Sequence, residues 1–241
     1  MEPPPVPTAD SPRGRYVRGS RSRAGLVASS RTTRVGGGPP SADSAGAYVP
    51  PPFLVAAVGA SAGGLEAISK MLSSIPVSAQ LSIVLAQHLS RFHPSLLPDL
   101  LSRRTALRVT FGADGVPILV GHVYVIPPNK HITVIDGHLR VEPRPPGPWA
   151  EQVDALFESI AKYYRTRAVG VILSGALSDG SQGFRAIRSA GGVTIAQLPE
   201  EAQLGSMPRS AIATGDVDMI LSAADIGAQL LRLSEQPRFA P

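Results

Sequence analysis

The sequence predicts an α/β fold built on a parallel sheet, and three observations lead to this prediction. Short apolar segments without charge recur along the 241 residues, and helical patterns follow most of them. Near residue 54, strand, helix and strand follow one another within about thirty residues, which is typical of a βαβ unit with parallel strands. Asp136-Gly137 separates two further apolar segments and predicts a β-hairpin outside this series.

The first predicted strand, Leu54 to Val58, leads directly into a turn of small residues. Gly59, Ser61 and Gly63 fit the pattern G-x-S-x-G, in which a sharp turn exposes a serine hydroxyl. A helix predicted from Leu65 would place free backbone N–H groups and a positive dipole beside that hydroxyl. Two other interpretations stay open, because glycine-rich turns also bind dinucleotide phosphates or simply connect a strand to a helix.

The second predicted strand, Ser82 to Ala86, runs into Gln87 and His88. If the two strands are parallel neighbours, their carboxyl ends share one edge of the sheet, and we expect His88 beside the Ser61 turn. Taken alone, a histidine is more often a hydrogen-bonded structural residue than a catalytic one, and this interpretation also stays open.

The rest of the chain repeats the alternation of helices and strands. The pattern predicts further strands at Val169–Leu173, Val193–Ala196 and Val217–Leu221, a hairpin of Ile132–Ile135 with Leu139–Val141, an extended linker at 143–148, and helices at Pro94–Leu101, Trp149–Tyr164, around Phe184 and Ile187, and at Ala223–Leu233.

Asp179 follows the third buried strand and precedes a predicted helix, so it is either an N-cap or a functional carboxylate. Together with Ser61 and His88 it supplies the nucleophile, the base and the orienting carboxylate of acyl transfer. The chain order Ser, His, Asp, with the serine after the first strand, argues against an α/β-hydrolase. Metal hydrolysis is disfavoured because no His, Asp or Glu pair has zinc-like helical spacing.

Composition limits the alternatives further. The chain has no cysteine, which excludes disulfides, thiolate metal sites and a cysteine nucleophile. Of the net charge of +5, residues 1–50 carry +4, so a nucleic-acid surface on the folded part is disfavoured. We expect 1–50 to be a disordered leader rich in Pro, Gly, Ser and Arg, 51–235 to be the domain and 236–241 a short tail. No membrane span or signal peptide is evident, and we expect a cytoplasmic protein.

Residues 54 to about 233 resemble the catalytic domain of the CheB family, the protein-glutamate methylesterases of bacterial chemosensory systems. The resemblance rests on six segments in order: Gly59-Ala60-Ser61-Ala62-Gly63-Gly64, Gln87-His88, Val123 to His131, Val153-Asp154, Leu173-Ser174-Gly175 with Ser178-Asp179-Gly180, and Met207 to Ile212.

The resemblance implies a doubly wound, mostly parallel sheet with helices on both faces and a small hairpin excursion. It implies a triad of Ser61, His88 and Asp179, with Ala62, Ala176, Leu177 and Met207 at the oxyanion and substrate pocket. The implied reaction is hydrolysis of glutamyl methyl esters on the cytoplasmic helices of chemoreceptors, with release of methanol and, in some members, deamidation of glutamines. No metal or cofactor is implied.

Two departures from the family pattern affect these expectations. A receiver domain usually precedes this domain, and residues 1–50 are too short for one, so we expect control by a regulatory partner or by the leader. The family usually has glycine where Leu177 stands, and a loop that needs a positive φ there would be strained. This motivates an alternative, a catalytically weak module that binds receptors or scaffold proteins. A dinucleotide-binding protein is disfavoured because G-x-G-x-x-G is missing.

Overall fold

A central parallel sheet organises the domain. The structure is a computed structural model that describes residues 52–87, 95–144 and 151–236. Seven of its strands form one sheet in the order β3-β4-β2-β1-β7-β8-β9, and every neighbouring pair in it is parallel. β5 and β6 form a separate antiparallel hairpin. The α/β prediction and the hairpin are therefore confirmed.

The elements have the following bounds. The strands are β1 Leu54–Ala60, β2 Leu81–Gln87, β3 Arg108–Phe111, β4 His122–Val125, β5 Lys130–Ile135, β6 His138–Pro143, β7 Ala168–Ile172, β8 Val193–Gln197 and β9 Met219–Leu221; the helices are α1 Gly64–Ser73, α2 Leu97–Ser102, α3 Gln152–Tyr164, α4 Ser181–Ser189, α5 Ser206–Ala213 and α6 Ala223–Ser234.

Most predicted elements match these bounds within a few residues, and the differences have local causes. α2 begins at Leu97 with Pro98 in its first turn, whereas the predicted start, Pro94, lies outside the described residues. The predicted start of α3, Trp149, and most of the predicted linker at 143–148 also lie outside them. β3 was not predicted, because this edge strand is half-exposed and contains no continuous apolar run.

The sheet is covered on both faces, as the resemblance implied. Alternate residues of β1 point to opposite sides, so that Leu54, Ala56 and Val58 join one buried cluster while Val55 and Ala57 join the other. The first cluster packs against α1, α2 and α6, and the second against α3, α4, α5 and the hairpin. Strands buried on both faces account for the uncharged apolar runs that the sequence shows.

The order of the strands reverses beside β1. From β1 the chain first builds the side containing β2, β4 and β3, and it then crosses to β7, β8 and β9 on the other side. The carboxyl ends of β1 and β7 therefore meet at a topological switch point, where sites form in open α/β sheets. Within the described residues, none of the helices has the length and hydrophobicity that a membrane crossing requires.

Candidate active site

The Ser61 turn is held by backbone hydrogen bonds on both sides. The N–H of Ser61 donates to the carbonyl of Ser174 at 3.0 Å, and the carbonyl of Ser61 accepts from the N–H of Gly64 at 2.9 Å. Gly63 has φ 79°, and a Cβ there would lie 2.6 Å from the hydroxyl of Ser174. Only glycine meets both the backbone and the space requirement, which explains the second glycine of the pattern.

The N-terminus of α1 opens next to Ser61. α1 has no side-chain cap, and the N–H groups of Ala62 and Gly63 make no hydrogen bond that involves the described part of the chain. The residues of this turn line a groove of about 980 Å³. The other lining residues come from α1, the end of β2 and two loops: Leu65, Glu66, Ser69, Lys70, Ser73, Gln87, Arg104 and Gln203. Unpaired N–H groups at a helix N-terminus suit a developing negative charge.

Ser174 connects the turn after β1, which contains Ser61, with the turn after β7. Its hydroxyl donates to the carbonyl of Ala62 at 2.9 Å and accepts from the N–H of Leu204 at 3.0 Å. Its own N–H donates to the side-chain oxygen of Gln197 at 2.9 Å, at the end of β8. Ser174 is 1% exposed and therefore fixes the Ser61 turn against β7 from inside the protein.

Asp179 lies on the β7 side and is 4% exposed. Its carboxylate accepts hydrogen bonds from the N–H groups of Glu151, Val153 and Asp154, at 3.1 to 3.2 Å. These N–H groups begin α3. The N-cap position of α4, the helix that follows Asp179 in sequence, is Gly180, with no side-chain cap. Asp179 thus caps a helix, but a different one from the helix that its sequence position indicates.

His88 lies outside the described residues. The strand before it ends at Gln87, which pairs with Ala60, the residue before Ser61. The side-chain oxygen of Gln87 is buried without a hydrogen-bond partner in the described part of the chain. On β5, burial lowers the pKa of His131; the nearby carboxylates of Glu142 and Asp179 favour its charged form but do not outweigh burial.

The four predicted pocket residues occupy different environments. Ala62 is exposed in the groove, and Ala176 is half-buried just beyond Gly175. Leu177 is 67% exposed with φ 70°, so the positive φ expected to strain this residue is present. Met207 is fully buried; it packs beneath Gly175, where a Cβ would lie 2.5 Å from its sulfur, and it does not line the groove.

Two residues with clear structural roles at the site were not identified as such from the sequence. Ser174 fixes the Ser61 turn, and Asp154 hydrogen-bonds the N–H of Gly183 at 2.6 Å. Both residues belong to segments that carry the resemblance. The sequence signal that could have identified them is a polar residue at the end of an apolar strand, for Ser174, or within an apolar helix face, for Asp154. Among the described residues, no cluster of three or more His, Cys, Asp or Glu could hold a metal ion.

Topology and site together define a class of molecule: a doubly wound α/β protein that presents a serine at the switch point of a parallel sheet. The particular family follows from comparison with known proteins. Residues 56–230 match the family model described as CheB methylesterase, and the chain therefore belongs to the CheB methylesterase family.

Individual relatives agree with this family. The chain is 36% identical over 192 residues to protein-glutamate methylesterase/protein-glutamine glutaminase 1 of Myxococcus xanthus, covering 78% of this chain and 56% of the relative. It is 33% identical over 180 residues to the protein-glutamate methylesterase/protein-glutamine glutaminase of Salmonella typhimurium, covering 73% of this chain and 51% of the relative. A relative from Leptospira interrogans is 32% identical over 185 residues, covering 74% of this chain and 93% of the relative.

A solved structure agrees with the fold. The catalytic domain of the CheB methylesterase of Thermotoga maritima superposes with a TM-score of 0.69 at 26% identity, covering 75% of this chain and 98% of that one. The chain thus spans about half the length of the Myxococcus and Salmonella relatives, and the part that it matches in Thermotoga is the catalytic domain.

Proposed function

We propose that this chain is a serine hydrolase that removes methyl groups from glutamyl methyl esters on the cytoplasmic helices of chemoreceptors. The observation that carries the proposal is that Ser61 shares one groove with the N–H groups of Ala62 and Gly63, which have no hydrogen-bond partner among the described residues. Family membership supports the substrate class, because two of its relatives are named protein-glutamate methylesterases and glutaminases.

The proposed reaction has two halves. The Ser61 oxygen attacks the ester carbonyl while His88 accepts the hydroxyl proton, and the charge that develops on the carbonyl oxygen is stabilised by the N–H groups of Ala62 and Gly63. The C–O bond to the methoxy group breaks, and His88 donates the proton that makes methanol. Water, deprotonated by His88, then attacks the acyl-enzyme. The bond to Ser61 breaks, His88 returns the proton to the Ser61 oxygen, and the receptor keeps a glutamate side chain with a free carboxylate.

In this proposal Asp179 orients the imidazole and stabilises its cation. Its four hydrogen bonds from three backbone N–H groups support that role, because they fix the position of the carboxylate. Deamidation of a glutamine needs the same atoms, with ammonia as the leaving group in place of methanol. A regulatory partner and a cytoplasmic location, both expected from the sequence, remain predictions.

The test measures methanol released from methylated receptor membranes by the intact chain and by Ser61→Ala. A matched control is Ser234→Ala, which deletes the same atom from the last turn of α6, where the hydroxyl donates to the carbonyl of Leu231. We expect release that is lost in Ser61→Ala and retained in Ser234→Ala. No release by the intact chain from receptors of several classes would contradict the esterase and favour the binding module.

A fluorophosphonate probe tests the nucleophile without a receptor. Labelling of the intact chain and of Ser234→Ala, but not of Ser61→Ala, is expected if Ser61 is activated. Equal labelling of all three proteins would show that the probe reacts elsewhere and would argue against Ser61.

A further inference from the structure

A second buried carboxylate lies beside Asp179, and the mechanism above does not use it. Asp154 belongs to the first turn of α3 and is 8% exposed. It accepts a hydrogen bond from the N–H of Gly183 at 2.6 Å, in the first turn of α4. Asp154 therefore caps α4, although it is part of α3.

Each of the two carboxylates caps the helix that its position in the sequence does not indicate. Asp179 precedes α4 in sequence and holds the N–H groups at the start of α3, while Asp154 lies in α3 and holds those at the start of α4. Neither helix has a side-chain cap from its own N-cap residue. The helices also pack closely, because a Cβ on Gly183 would lie 2.6 Å from the Cβ of Phe157.

This arrangement places two carboxyl groups close together inside the protein. Burial raises the pKa of Asp154, and the charge of Asp179 raises it further, while the hydrogen bonds from α4 act in the opposite direction. A cap that served stability alone would not need a second carboxylate at this position, because Ser or Asn caps a helix about as well as Asp.

We propose that Asp154 is a positioning residue for the hydrolytic reaction, which fixes the start of α4 and, through it, the carboxylate of Asp179. The inference rests on the proposed function, because it assumes that Asp179 orients the base. Asp179 belongs to the loop that leads into Gly183, whose N–H Asp154 holds. Without the Asp154 carboxylate, the segment that leads from Asp179 into α4 loses its hydrogen bond to that side chain. Misplacement of a reacting group by about 1 Å costs about 100-fold in rate.

The kinetic test compares Asp154→Ala and Asp154→Asn with the intact chain on methylated receptor membranes. Asp154→Ala is expected to lower kcat about 100-fold and to leave KM within about threefold, because the groove does not include Asp154. Asp154→Asn is expected to recover part of this loss, because its amide oxygen can still accept from the N–H of Gly183.

The matched control is Ser222→Ala. Ser222 caps α6 by accepting from the N–H of Asp225 at 3.1 Å, and it does not line the groove. Its loss is expected to lower Tm while leaving kcat unchanged. If the Asp154 variants also lower Tm without lowering kcat, Asp154 acts only through stability and the proposal is wrong.

A structural test separates this inference from the proposed function. Hydrogen exchange is measured at the backbone amides of Glu151 and Val153, which are bonded to Asp179. Asp154→Ala is expected to speed their exchange at least tenfold and Asp154→Asn by a smaller factor, whereas Ser222→Ala leaves it unchanged. Unchanged exchange in Asp154→Asn would overturn the positioning role, even if the intact chain released no methanol at all. If Asp154→Ala does not fold, Asp154→Asn decides both tests.

Discussion

Helices α1 and α3 begin in similar ways but use their free N–H groups differently. Each has an N-cap residue in the left-handed region, Gly63 with φ 79° and Glu151 with φ 91°, and neither has a side-chain cap of its own. At α3 the carboxylate of Asp179 occupies the N–H groups permanently. At α1 the N–H groups beside Ser61 open into the groove. One helix start thus holds a resident anion, and the other is suited to a transient one.

Removal of the resident anion is expected to have the largest effect. Asp179→Ala should lower kcat by about 10⁴-fold, as loss of an orienting carboxylate does in serine hydrolases. It should also destabilise the domain by about 2 kcal/mol or more, because buried N–H groups of α3 lose their acceptor. Ser61→Ala should abolish activity equally but change stability by less than about 0.5 kcal/mol. Equal stability of the two variants in urea unfolding would contradict the difference between the two helix starts.

Distortion of the open helix start is expected to have the next largest effect. Gly63→Ala places a Cβ 2.6 Å from the hydroxyl of Ser174, at a residue with positive φ. The free energy of unfolding should fall by about 1–2 kcal/mol because of the backbone conformation, and by a further ~1–3 kcal/mol because of the crowding. Displacement of one N–H donor should lower kcat about 100-fold.

Gly115→Ala is the matched control for this change. Gly115 has a similar φ of 74°, but nothing lies within 4 Å of the added Cβ. Its substitution should cost only the backbone part, about 1–2 kcal/mol, and leave kcat unchanged. Equal losses of stability or activity in the two variants, measured by unfolding and methanol release, would show that the space around Gly63 is not critical.

The buried side of the site should also make stability depend on pH. Burial lowers the pKa of His131 in the folded state, so the folded protein binds fewer protons than the unfolded chain. This contribution to stability is fully present above the ordinary value of 6.5 and is lost as the pH falls through the lower folded pKa. Between pH 8 and 5, the Tm of His131→Gln should fall less steeply than that of the intact chain. Parallel Tm curves would contradict the pKa shift.

The smallest effect is expected at Leu177, which is exposed on the loop between β7 and α4. Its φ of 70° favours glycine, and Leu177→Gly should relieve about 1–2 kcal/mol of strain. Glycine also gives the unfolded chain more backbone entropy, which lowers the free energy of unfolding by about 0.5–1 kcal/mol. The net gain in the free energy of unfolding should therefore be about 0.5 kcal/mol. A net loss of 1 kcal/mol or more would show that the exposed side chain makes contacts that matter, and kcat measured on the same variant would show whether they serve the substrate.

Local patterns in the sequence predict much of this fold. β1, β2 and α1 were identifiable because strands buried on both faces form continuous apolar runs, and because α1 repeats its buried residues at helical spacing. The edge strand β3 could not be identified in this way, because only parts of Arg108–Phe111 are buried.

The site could be predicted only as far as local patterns extend. The Ser61 turn was recognisable because its glycines are adjacent in sequence. The capping of α3 by Asp179 was not, because an aspartate before α4 indicates only the helix that follows it. The contacts of Ser174 depend on the pairing of β1 with β7, which no segment of the sequence shows on its own.

The hydrogen bond from Ser174 to Ala62 has a consequence for the order of folding. It joins residues 112 positions apart, so the loop that it closes includes three strands on one side of the sheet and the whole hairpin. Contacts of such long range form slowly, because the chain between them must first be ordered. A chain still emerging from the ribosome can complete β1 and α1 early, yet the serine turn is held in place only after β7 has been made. The proposed active site is therefore expected to be among the last parts of the domain to mature.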